Sequence, residues 1–256
     1  MEEILNEIWK AAIRSGRSYL KTLQETTYFA TARGKSYIDM AESFDEETSI
    51  LILDGTVRGT ATAGAASTIT LAADDSQTAA GASGKPIYLT GGTGSVQLRQ
   101  ITSLDTATKI ATVDSAWTTN PVSGTTYLIV SKTVPLEEIS PVEIDESQPA
   151  SEGMPTAFAK YKRQVVFDRP FDLSTYGIQV RHFLNIHQVD RSAAVYTRIL
   201  RNWRNTLTEG LLWKAFESQG DDQDVKAKKD FIGSLEGLLQ EEMSFGGEFS
   251  GFLSAR

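Results

Sequence analysis

Between Thr48 and Val134 the chain consists of short apolar runs cut at near-regular intervals by turn residues, and this stretch constrains the fold more than any other. Residues 50–133 are dense in Thr, Ala, Gly and Ser. Alternating runs occur at Ile50–Leu53, Ser67–Leu71, Pro86–Thr90, Val96–Ile101, Lys109–Val113 and Tyr127–Ser131. Alternation with a period of two marks a strand with one buried face. Asp54-Gly55, the glycines between 81 and 84, Gly91-Gly92, Asn120-Pro121 and Ser123-Gly124 separate the runs. These residue types reach the dihedrals that reverse a chain. No long helix fits between them, so 48–134 is expected to form a small antiparallel β-sandwich or barrel.

The flanks follow another period. Ile4, Leu5, Ile8, Trp9, Ala12 and Ile13 recur at helical spacing. Tyr19, Leu20, Leu23, Tyr28 and Phe29 continue it, so residues 3–44 are expected to be helical, loosened at Gly16 and broken at Gly34 before a short helix at Tyr37–Phe44. Residues 134–160 hold Pro135, Pro141, Pro149 and Pro155, which exclude a long helix and suggest an extended return path. Lys162–Asp168 and Gly177–Ile186 read as two strands of a hairpin around the turn DRPFDLSTYG. From Ser192 the helical period returns, with Val195, Ile199, Trp203, Leu207 and Leu211 on one face. Gly220 stops that helix and an aspartate caps the next, which places Phe231, Leu235, Leu238 and Leu239 on one face. The two should pack as an antiparallel αα-hairpin.

The expected fold class is therefore α+β. A helical bundle of N- and C-terminal helices (1–47 plus 135–243, including the hairpin at 161–187) carries an inserted antiparallel β-sandwich or barrel at 48–134. An extended C-terminal tail occupies 244–256.

The stretch GGTGSVQLRQITSLD at 91–105 is the first candidate for chemistry. A phosphate loop of the Walker type fails, because Gly84-Lys85 is followed by Pro86 and Ala79 stands where the first glycine belongs. A dinucleotide fingerprint fails too: Gln97 occupies the third glycine position and a strand follows. Without a helix N-terminus there is no row of free N–H groups for a phosphate. Gly91, Gly92 and Gly94 are instead turn glycines. The chain has no cysteine, which excludes disulfides and thiolate metal sites, and only two histidines, His182 and His187. Five residues apart in a strand, they point to opposite faces and cannot share a metal. Carboxylate pairs such as Asp74/Asp75, Glu137/Glu138, Glu143/Asp145 and Asp221/Asp222 lack apolar surroundings that would raise one pKa. Asp168/Asp172 is the remaining hydrolase candidate. Neither metal nor cofactor is expected.

With a net charge of −8 and no strongly basic segment, the chain lacks the footprint of a dedicated DNA-binding protein. No apolar run is long enough for a transmembrane helix, so no membrane partner is expected. The start, MEEILNEIWKAAIRSG, has no apolar core of a secretory signal. One feature points to a partner: Arg191, Arg198, Arg201 and Arg204 recur without an acidic residue four positions away. Guanidinium groups in a row suit an acidic protein surface.

The stretches GTATAGAASTITLAADDSQTAAGASGKPIYLTGGTGSVQLRQITSLDTATKIATVDSAWTTNPVSGTTYLIV, AFAKYKRQVVFDRPFDLSTYGIQVRHFLNIHQVD and YTRILRNWRNTLTEGLLWKAFESQGDDQDVKAKKDFIGSLEGLLQEE together resemble the head–tail adaptor, or connector, proteins of tailed bacteriophages. The first is similar to a β module common in phage head–tail and tail proteins, with its GTG-x-x-Q turn and a tryptophan ahead of P-x-SGTTY. The resemblance implies a non-catalytic virion protein that forms a ring, usually of twelve copies, beneath the portal. Its partners would be the portal protein, tail nozzle or hub proteins and further copies of itself, with DNA passing through the lumen without specific binding. It would be assembled in the host bacterial cytoplasm and reside in the virion neck. It also implies portal contacts by a C-terminal segment. Phe245, Phe249 and Phe252 in SFGGEFSGFLSAR, together with Arg191, Arg198, Arg201 and Arg204, are the expected contacts. A carbohydrate-binding β module remains the alternative, provided that aromatics near Tyr88, Trp117 and Tyr127 are exposed.

Overall fold

A computed structural model describes residues 2–14, 20–41, 44–147, 151–161, 163–184, 193–220 and 223–244. The chain divides into two compact units: Met1–Glu25 with Glu42–Glu47 and His182–Arg256, and Thr26–Ala41 with Thr48–Arg181.

The expected α+β helical bundle is not formed. Fifteen strands in three sheets dominate the described residues, and the two longest helices lie in the C-terminal part after residue 203. The N-terminal segment is helical only over α1 (Glu2–Arg14). A 3₁₀ turn at Lys21–Leu23 leads into strand β1 (Gln24–Ala30), and Tyr37–Asp39 is strand β2 instead of a second helix. The helical spacing of Tyr28 and Phe29 misleads because their neighbours are Thr26 and Thr27. Branched and aromatic side chains lose χ1 freedom in a helix and pack well on a pleated surface.

In the second unit, the Thr/Gly-rich stretch forms a seven-stranded sheet. Its strands are β4 (Val57–Thr60), β5 (Ala63–Ala65), β6 (Thr68–Thr70), β7 (Pro86–Gly91), β8 (Leu98–Asp105), β9 (Ile110–Val113) and β10 (Thr126–Ile129); β3 (Phe44–Asp54) precedes them. The order is β4-β10-β7-β8-β9-β6-β5. Its two edges, β4 and β5, are separated in sequence only by Ala61 and Thr62. The Ala61 N–H donates to Thr125 O at 2.7 Å on one side, and the Thr62 N–H to Thr70 O at 3.0 Å on the other. One bent segment thus supplies both terminal strands, which curls the sheet into a barrel-like shape. Ile69, Ile87, Leu89, Ile101, Ala111, Trp117, Tyr127 and Ile129 fill the interior. The alternate residues Tyr88, Leu128 and Val130 are buried outside it with Leu53. Burial on both faces explains why PIYLT and TYLIV read as continuous apolar runs. A short helix, α2 (Ala79–Ala82), is N-capped by the Thr78 hydroxyl.

The remaining strands build two four-stranded sheets, β1-β15-β3-β11 and β12-β13-β14-β2. Here β11 is Lys132–Pro135, β12 Glu137–Glu138, β13 Ala157–Tyr161, β14 Gln164–Phe167 and β15 Gly177–Leu184. The expected hairpin at 161–187 is overturned by this pairing. β14 pairs with β13, Tyr161 opposite Gln164, and with β2, while β15 joins the other sheet. The connection from β14 to β15 is too long for a tight hairpin. Its Asp168 is pinned at 3.0 Å by the Thr156 N–H, and its Phe171 and Tyr176 are buried. The proline-rich return path also contains a helix, α3 (Pro141–Ser147). A capping box starts it: the Ser140 N–H donates to Glu143 Oε2 at 2.8 Å and the Glu143 N–H to Ser140 Oγ at 3.2 Å.

The first unit holds α4 (Ala193–Asn202), α5 (Arg204–Gln219) and α6 (Asp224–Ser244). Gly220 ends α5 at φ 65° in the left-handed region, where glycine carries no Cβ penalty. α5 and α6 pair, with Trp213 stacked on Phe231 at 5.4 Å between centroids. Ile4, Ile8, Leu20, Leu23, Ile199, Trp203, Leu207, Phe231 and Leu235 form the core. Leu211, expected on the buried face, is 46% exposed. Gly210 takes the inward position because an added Cβ would lie 2.8 Å from Ile4 and 3.1 Å from Phe231.

Candidate functional site

The glycine turn at 91–97 is a built corner. Gly91 ends β7, and Gly92 and Gly94 adopt φ 81° and 80°, conformations that side chains rarely tolerate. Any Cβ on Gly94 would stand 2.6 Å from Thr119 O. Gln97 locks the corner. Its Nε2 donates to Gly94 O at 2.7 Å and to Thr119 O at 2.9 Å, while its Oε1 accepts from the Thr118 N–H at 2.7 Å. Two stretches separated in sequence, GTG-x-x-Q and the residues after Trp117, are therefore one hydrogen-bonded unit. Gln97→Ala should lower the unfolding free energy by about 2 kcal/mol, since its partners lose two acceptor bonds and one donor bond together. Urea denaturation checks it, and hydrogen exchange should quicken first at the Thr118 amide.

The arginine row is divided by its surroundings. Arg191 lies outside the described residues, as do Phe245, Phe249 and Phe252. Arg198 is half-buried and donates through Nη2 to Gln24 O, so its guanidinium is engaged within the fold. Arg201 and Arg204 are exposed, and Arg201 makes a long 3.4 Å bond to Asn202 Oδ1. Beside them lies a junction that the sequence did not reveal. The Glu242 carboxylate accepts from the Thr22 N–H at 3.0 Å, from the Thr22 hydroxyl, and from Trp203 Nε1 at 2.9 Å. It ties the end of α6 to the 3₁₀ turn and to the α4–α5 bend. No spacing signal could have found it, because Thr22 and Glu242 are 220 positions apart.

No known protein-family model matches the chain, and no curated protein is detectably similar to it. Its chemistry therefore rests on its own residues. Asp168, half of the hydrolase candidate, is buried under bonds from the Thr156 N–H and hydroxyl and the Ala157 N–H, with Arg169 beside it. Those donors hold it as a structural acceptor for the start of β13. Asp172 hydrogen-bonds the Tyr176 phenol, whose pKa is pushed up to about 12, chiefly by burial. Tyr88, Trp117 and Tyr127 are all buried and offer no aromatic platform to a sugar. No cluster of three or more His, Asp or Glu able to hold a metal occurs among the described residues, and none of their helices is long and apolar enough to cross a membrane.

His187 is outside the described residues, whereas His182 is buried with the Phe44 ring tilted against it at 5.3 Å between centroids. Burial lowers its pKa, opposed in part by the Phe183 carbonyl and the charge of Glu25. A base with a depressed folded pKa adds stability above its unfolded pKa, and that stability is lost as pH falls below about 6.5. The first unit should therefore lose stability as pH falls from 7 to 5. His182→Gln should flatten that slope in urea titrations at the two pH values.

Proposed function

We propose that this protein is a non-catalytic head–tail adaptor of a tailed bacteriophage, assembling as a ring beneath the portal and joining it to the tail. The observation that carries this reading is the Gln97 clamp. It joins the GTG-x-x-Q turn to the residues ahead of P-x-SGTTY, the two most specific marks of the resemblance, in one corner. A turn so fixed by internal bonds is suited to holding a barrel's shape, and its backbone groups are occupied within the fold. The exposed Arg201 and Arg204 supply a surface for an acidic neighbour. Arg191 and the phenylalanines of the tail are assigned to the same contact, where aromatic anchors would contribute most of the affinity.

Mass photometry with and without purified portal tests the proposal. Alone, the chain should be a monomer or a small oligomer; with portal it should appear as a ring on the portal. Electron microscopy of necks should then show it beneath the portal. A chain that ignores portal and is missing from necks overturns the adaptor role.

A further inference from the structure

α6 is the longest helix of the described residues, yet its own sequence supports a helix poorly. Among its described side chains Ala227, Phe231, Leu235 and Leu238 are the buried ones, with Leu239 partly buried beside them, so the stripe facing the core is narrow. Gly233 and Gly237 are exposed, and an added Cβ would meet no atom within 4 Å at either position. Packing therefore does not require glycine there, in contrast to Gly210 of α5, against which Ile4 and Phe231 press. A glycine inside a helix disfavours it about fivefold relative to alanine, because the unfolded chain is freer. Charge adds to this weakness. Asp224 suits the N-terminal end, but Lys226, Lys228 and Lys229 follow it, and Glu241 and Glu242 stand near the C-terminal end, where the last turn has no basic residue. Cations near the positive end of the helix dipole and anions near its negative end both oppose the helix.

What retains α6 is tertiary and is divided between two anchors. At the first, Phe231 stacks on Trp213, and Lys228 Nζ lies 5.2 Å from the same indole. The Ser234 and Thr206 hydroxyls meet beside it at 3.1 Å. At the second, the Glu242 carboxylate accepts from the Thr22 N–H and from Trp203 Nε1. Gly233 and Gly237 fall between Phe231 and Glu242, where neither anchor stiffens the backbone. The elements beneath have contacts of their own. Ile4 of α1 seats against Gly210, Lys214 reaches Glu3 at 3.7 Å, and the helical bonds of Trp203 join α4 to α5.

We propose that α6 is a releasable strap, a helix that opens as one unit at the GSLEG segment of 233–237 while α1, α4 and α5 stay folded. Opening uncovers Trp213 and the side of Gly210 that Phe231 covers. A helix with few buried apolar residues and a solvated outer face belongs to the low-stability end of a fold, which opens below the cost of global unfolding. The strap is a property of the free chain and stands whether or not the chain is an adaptor.

Hydrogen exchange of the full-length protein in rising, sub-denaturing urea tests this. The amides of 228–240 should share one opening, with protection about 100-fold or more below that of the slowest α5 amides. Their urea slope should be much shallower than that of α5, since the slope scales with the surface exposed. Gly233→Ala combined with Gly237→Ala should raise the protection of α6 about 20-fold. Both positions are open to solvent, so the variant should fold as wild type does. Glu242→Gln keeps the shape of the second anchor without its charge and should lower that protection about 10-fold. Two results overturn the proposal: α6 and α5 amides that exchange through one opening with one urea slope, or α6 protection that the two alanines leave unchanged.

Discussion

Trp203→Ala is expected to destabilise the helical unit by about 4 kcal/mol, the range for removing a buried indole. Trp203 is fully buried at the bend between α4 and α5, where the helical bonds still run through it: its N–H donates to Ile199 O and its carbonyl accepts from Leu207, both at 2.8 Å. The indole fills space among Ile199, Leu207 and Leu20 in one core. Its Nε1 also supplies one of the three donors on Glu242. Truncation thus opens a cavity and takes away a charge-assisted bond. Trp203→Phe separates the two effects. It retains most of the volume, so its cost should fall to about 1–2 kcal/mol, the value of a hydrogen bond to a charged group. Hydrogen exchange of α4–α6 peptides gives the readout, with the barrel amides as an internal control. If Trp203→Ala leaves the protection of α6 unchanged, the Glu242 junction does not hold the helices together.

Legibility followed how local the cause of each element was. β7 and β8 could be read because the glycines between them have no other conformational use than a turn, and Gly220 gave away the end of α5 for the same reason. The strand at 24–30 was hidden, because QETTYFA places aromatics at helical spacing while its threonines favour a strand. β4 and β5 were missed since VRGT and AGA carry almost no apolar alternation; their role is to close the barrel, not to supply its core. The separation of β14 from β15 depends on bonds made by the loop between them, which no strand pattern records. The candidate surface shows the same division. The arginine spacing was visible, but Arg198 is withdrawn from it by Gln24, 174 positions away.

A single methyl group at Gly59 is expected to have the largest effect on the barrel. Gly59 lies opposite Tyr127 in the β4–β10 register. A Cβ there would stand 2.5 Å from the Tyr127 phenol oxygen and 2.7 Å from Cζ, well inside contact distance. The ring has nowhere to go, being almost fully buried, and its hydroxyl is engaged in both directions. It donates to Asp75 Oδ2 at 2.8 Å and accepts from the Ala72 N–H at 3.0 Å. Burial keeps the phenol protonated by raising its pKa, so it can serve as that donor. Asp75 in turn accepts from the Gln77 N–H at 2.8 Å, and its carbonyl accepts from Lys109 Nζ at 2.6 Å. Moving the ring would therefore strand Asp75 and Ala72 together. Overpacking costs about 1–3 kcal/mol and an unpaired buried polar group a similar amount, so Gly59→Ala should cost about 3 kcal/mol or more. On a Tyr127→Leu background the clash and the phenol bonds are already gone, and the added Cβ should cost far less. The coupling in that double-mutant cycle should reach about 2 kcal/mol. Trp117 reports the transition, because it is the tryptophan within the barrel core. A Gly59→Ala protein as stable as wild type, or additive costs in the cycle, would show that the phenol is not pinned between β4 and Asp75.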